Sequence, residues 1–98
     1  MKYVVAWESR QNTSEEQQAR GLQVFSKWAP APNVTFHQMV GRVDGRGGFA
    51  VVETDDVAAV TRDMSIFSAF FDMSVYPVLE IGDIAQIAGD ALEFRASV

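Results

Sequence analysis

At 98 residues the chain fits a single domain, and folding buries only roughly two thirds of the surface of an unfolded chain of this size, so the core is adequate but has little to spare. An apolar fraction of 48% and eleven aromatic side chains spread along the chain exclude a disordered or fibrous class. Thirteen acidic against eight basic residues give a net charge of −5, which repels a phosphate backbone, and the absence of cysteine excludes disulfides and thiolate ligands and fits a reducing interior.

The first run, Lys2 to Glu8, is rich in β-branched and aromatic residues on both alternating faces, the pattern of a strand covered on both sides. It passes at once into Glu8 and Arg10, so its apolar stretch is too short for a signal segment or a membrane span. Thr13-Ser14-Glu15-Glu16 follows, with Thr13 expected to cap a helix and Glu16 to close a capping box. Leu22, Phe25 and Trp28 recur at a helical interval, and Pro30 and Pro32 stop that helix.

Val34 to Val43 alternates loosely and ends in the turn Asp44-Gly45-Arg46-Gly47-Gly48, after which Phe49 to Glu53 resumes as a strand, the clearest hairpin of the chain. Thr54-Asp55-Asp56 places short polar side chains at a helix start, and Val57, Val60, Met64 and Phe67 supply a buried stripe ending near 65–69. Asp72 to Ile81 reads as a fourth strand in which Pro77 demands an exposed or bulged edge. A last helix is expected from Gly82-Asp83, with Ile84, Ile87, Ala91 and Phe94 on one stripe.

The order β-α-β-β-α-β plus a C-terminal helix predicts an α+β fold of the ferredoxin-like type, an antiparallel sheet with helices on one face, with residues 1–82 as core and 83–98 as the C-terminal helix of one domain. Tyr3, Val5 and Trp7 on one side of the first strand and Val4 and Ala6 on the other leave the second sheet face asking for a partner or a ligand.

Gly47-Gly48-Phe49-Ala50-Val51 overlaps the signature of the RNA-recognition motif but lacks its basic residue and two of its three stacking aromatics, so no nucleic-acid partner is expected. GGFAVVETDDVAAV, with FSAFFDMSVYPVLEIGD after it, resembles instead a small branch of the dimeric α+β barrel superfamily, proteins catalogued as domains of unknown function. The resemblance implies a homodimer whose two sheets close an eight-stranded barrel. The superfamily holds cofactor-independent monooxygenases, haem-degrading enzymes, lactone isomerases and members without known activity, and a fold by itself does not choose among them.

His37 is the only histidine, and no further ligand is spaced to join it, so no metal is expected. Simple alternation sets His37 on the strand face of Thr35 and Met39. Trp7, Trp28, Phe36, His37 and Tyr76 are candidates to line a pocket for a flat organic ligand. Glu53 and Glu80, at strand ends among apolar neighbours, are the carboxylates that desolvation would raise toward a general base, or that an arginine such as Arg42 would pair. Asp55, Asp56, Asp63 and Asp90 read as caps and solvated faces.

No Gly-x-Ser-x-Gly elbow, phosphate loop or cofactor motif occurs, and the helices lack the basic face that membrane binding favours. The expectation is therefore a cytoplasmic homodimer without cofactor, metal or membrane partner, acting as a binding or interaction module with a small hydrophobic ligand as candidate partner. The alternative is a cofactor-independent monooxygenase or isomerase of a small aromatic or lactone.

Overall fold

The computed structural model describes residues 1–98. Its elements are β1 (Lys2–Ser9), α1 (Glu15–Lys27), β2 (Thr35–Gly41), β3 (Gly47–Glu53), α2 (Val57–Phe67), β4 (Phe71–Val78) and α3 (Ile81–Ala96). The four strands form one antiparallel sheet in the order β2-β3-β1-β4, the α+β ferredoxin-like arrangement. Pro77 sits on β4, an edge strand, where a missing N–H costs no central ladder bond.

Local chemistry sets the helix starts. Ser14, one residue beyond the expected cap, accepts from the Gln17 N–H at 3.1 Å, while Gln17 Oε1 accepts from the Ser14 N–H at 3.0 Å. The capping box thus closes through Ser14 and Gln17, because the hydroxyl of Thr13 is spent on the Arg10 carbonyl at 2.6 Å. Asp56 caps α2 through the Ala58 N–H, and Asn33 donates to the same carboxyl group, tying the loop before β2 to the start of α2.

The β2–β3 hairpin depends on one backbone conformation and one close approach. Gly45 holds φ +72°, which glycine adopts without strain, and a Cβ at Gly48 would overlap the Trp7 ring and the Val40 carbonyl oxygen. The Trp7 ring therefore passes over β3 at Gly48 only because that position carries no side chain.

α1 and α2 cover one sheet face. The buried core, Val34, Ala50, Val52, Ala59 and Val60, lies between that face and the first turns of α2, with Tyr3, Val5, Phe36 and Met64 around it. Farther along the same layer α1 stands off the sheet. Only Gly21 of α1 is buried, where an added Cβ would come into van der Waals contact with the Phe70 side chain, and Leu22 remains 71% exposed.

α3 begins at Ile81, not at Gly82-Asp83, and β4 stops at Val78. The ladder to β1 ends at the Lys2–Val78 pair, so Leu79 and Glu80 have no strand to join and Glu80 becomes the N-cap residue. No residue of α3 is buried, and the helix extends away from the sheet in a molecule of 60 × 31 × 20 Å. No helix is long and apolar enough to cross a membrane.

Candidate functional site: a cavity between sheet and helices

Where α1 parts from the sheet there is a cavity of about 710 Å³, within the usual range for organic ligands. Trp7 and Val5 of β1, Ala50 and Val52 of β3, Phe36 and Met39 of β2, and Met73 of β4 form its floor. Leu22 and Phe25 from α1 and Trp28 at its C-cap, with Val60, Met64 and Phe67 from α2, form the roof.

The inner end is built around Trp28. Its ring meets Phe36 and Phe67 edge-on, with centroids 5.6 and 5.4 Å apart, and Phe25 at 6.0 Å. Such tilted and edge-on contacts are the favoured geometry of aromatic quadrupoles. The Trp28 indole N–H donates to Asp63 Oδ1 at 3.1 Å, and Arg62 approaches the same oxygen at 3.7 Å. Asp63 is thus buried, not on a solvated face as its charge suggested. The signal was present in the spacing: position 63 stands three after Val60 and four before Phe67, inside the apolar stripe of α2.

The mouth is polar. It is formed by Ser9 to Thr13, by Gln17 and Gln18 on the first turns of α1, and by Arg46 of the β2–β3 turn. Asn12 holds φ 63°, a left-handed conformation that asparagine tolerates well. The guanidinium of Arg10 is occupied by Asp72 and by the carbonyls of Ser68 and Ala69. No side-chain polar atom buried in the molecule lacks a hydrogen-bond partner.

Of the side chains singled out in the sequence, Trp7, Trp28 and Phe36 come together in this cavity. His37, Glu53, Tyr76 and Glu80 do not line it. The reason begins at a β-bulge: Phe36 pairs with Val52 and Gln38 with Val51, leaving His37 as the extra residue. The bulge breaks the expected alternation, so Met39 joins Phe36 on the cavity side while His37 reaches Glu53 on the other face, Nε2 to Oε1 at 2.7 Å.

That bond determines how Glu53 behaves. The His37 hydrogen bond, with Lys2 nearby, holds its carboxyl below the ordinary value, outweighing the burial that alone would raise it. Glu80 pairs with Lys2 at 2.5 Å, and the contact raises the ammonium of Lys2. Arg42 pairs with neither of these carboxylates but with Glu8 at 3.2 Å and Asp44 at 2.5 Å. Tyr76 is 56% exposed on the open face, cross-strand from Val4.

The open face therefore has an apolar centre of Val4, Ala6, Val40, Phe49, Val51 and Tyr76, bordered by charged pairs at both ends. No three His, Asp or Glu side chains converge as a metal site would require.

No curated protein matches the chain. Among solved structures, the crystal structure of SCO4226 from Streptomyces coelicolor A3(2) is similar at 15% identity and a TM-score of 0.48, over 80% of this chain and 95% of that one. Residues 1–92 match the family described as "Domain of unknown function (DUF3303)", and the chain belongs to that family.

Proposed function

We propose that this protein is a binding module that takes a small, largely apolar ligand into the cavity between sheet and helices, and that it works as a homodimer. The observation that carries the ligand reading is the cavity itself: about 710 Å³, walled by aromatic, aliphatic and methionine side chains, its one deep carboxylate already bonded to Trp28. Apolar walls with few polar groups favour a flat or elongated organic body.

The homodimer rests on a separate observation. A single chain leaves the apolar centre of its open sheet face in water, together with Ile84, Ile87 and Phe94 of α3. Exposed apolar surface rimmed by charge is the anatomy of a protein–protein contact. A helix of 16 residues with no side chain buried is only marginally stable in water, so a second copy that covers both surfaces accounts for both.

The geometry gives less support to the enzymatic alternative. His37 and Tyr76, its polar groups, lie across the sheet from the cavity, and of the two strand-end glutamates that could act as its base neither lines the cavity: Glu53 is held in its ionised form by His37 and Glu80 pairs with Lys2.

Both tryptophans of the chain line the cavity, so intrinsic emission reports on it directly. Titration with naphthalene-type ligands is expected to quench that emission to saturation and to raise the melting temperature in step, as ligand linkage requires. Emission and melting temperature unchanged across a panel of aromatic and aliphatic compounds would refute the ligand reading. Light scattering at micromolar concentration tests the dimer, and a mass of one chain would refute it.

A further inference from the structure

The cavity is not uniform along its length, and its asymmetry speaks to the chemistry of what fills it. Gln17 at the mouth and Trp28 at the inner end are eleven residues apart on or bordering α1, about 16 Å at the rise of an α-helix. The inner end carries the negative charge of Asp63, hydrogen-bonded to Trp28 and approached by Arg62. The mouth carries Arg46, whose guanidinium makes no ion pair and no side-chain hydrogen bond, though Asp44 feels its charge. The nearby carboxylate of Asp44 is taken by Arg42 and by the Arg46 backbone N–H. Gln17, whose Oε1 is fixed by Ser14, keeps its amide N–H groups for another acceptor.

We propose that the ligand is an apolar monocarboxylate, bound with its hydrocarbon or aromatic body among Trp7, Phe25 and Trp28 and its carboxylate at Arg46 and Gln17 in the mouth. This inference rests on the ligand reading above and adds to it a charge and an orientation. Asp63 fixes the direction, because an anion driven to the inner end would meet a carboxylate of its own sign in a poorly solvated site. Arg46 provides a planar fork that matches a carboxylate, so the head remains in the mouth while the body leaves water. A cationic amphiphile entering the same way would place its charge on Arg46, and a neutral amide would meet Arg46 only through its carbonyl oxygen, without the charge pairing.

The test compares 1-naphthylacetate with 1-naphthylacetamide, which share a ring system and differ in charge, by calorimetric titration of the full chain and of Arg46→Gln at low ionic strength. Arg46 lies in an exposed turn outside the core, so the variant retains the fold, which its circular dichroism checks. The acid is expected to bind about three- to fivefold more tightly than the amide, a scale set by exposed charge-assisted pairs. Arg46→Gln should remove that preference by weakening the acid more than the amide, and salt should weaken chiefly the acid. Equal affinity for acid and amide, or a preference that survives Arg46→Gln, would overturn the assignment of charge while the cavity reading stands. Binding of neither compound would overturn both.

Discussion

Trp28 and Asp63 close the inner end of the cavity as a pair, and neither is replaceable alone. An indole N–H that has left water keeps its bond only while the carboxylate is opposite it. Asp63→Ala is expected to destabilise the fold by about 1–3 kcal/mol, the cost of an orphaned buried donor, measured by urea unfolding. His37 and Glu53 present a different case, since both are exposed. Because folded Glu53 titrates below its ordinary 4.5, the stabilisation from its bond to His37 is present above that pH and is lost as pH falls through the lowered folded value. His37→Ala should return the Glu53 titration upward, toward the ordinary carboxylate range, as followed by NMR of its side-chain carboxyl. The aromatic part of the cavity was legible in the sequence, because Trp7, Trp28 and Phe36 fall on the periodic positions of their elements. For Asp63 the spacing marked the position as inward, but the reason a charge is tolerated there lies in the side chain opposite, the Trp28 indole, which the sequence does not show. The position of His37 was also hidden, because a bulge is a property of two paired strands and leaves no mark in one.

At the scale of elements, strands and helices followed from alternation, from proline stops and from short polar caps, and these are local signals. What failed were the ends, where a neighbour decides. Thr13 lost the cap of α1 to Ser14 because its hydroxyl bonds the Arg10 carbonyl, and β4 lost its last residues because β1 offers no partner past Lys2. α3 was legible as a helix from Ile84, Ile87, Ala91 and Phe94, yet no residue of that stripe is buried within its own chain. If a second copy covers it, Ile87→Asp places a charge in that contact. The variant is expected to keep the circular dichroism of the folded sheet and to scatter light with the mass of one chain. Retention of the mass of two would show that α3 takes no part in the assembly.

For the whole molecule, only nine of 98 residues are buried, far fewer than a closed core would hold, and the deficit has two sources. One is the space under α1, and the other is the bare sheet face with α3. Each is filled by something other than this single chain in the reading developed above, and the two respond to different variables. A homodimer unfolds at a temperature that rises with protein concentration, so a tenfold dilution should lower the midpoint measurably. Ligand in the cavity should raise the midpoint at every concentration, and Arg46→Gln should diminish that rise chiefly for the acid. Fixed midpoints across dilution would mean that the sheet face contributes nothing to stability through a partner.

The bulge in β2 has one more consequence. With His37 left out of the count, Phe36, Gln38, Met39 and Val40 already follow the simple inward–outward rhythm opposite Val52, Val51, Ala50 and Phe49. A chain shortened by that single residue would keep its hairpin in phase and Met39 under the helices. Position 37 is thus a spare stitch in the sheet, and what it adds is the imidazole it carries to Glu53.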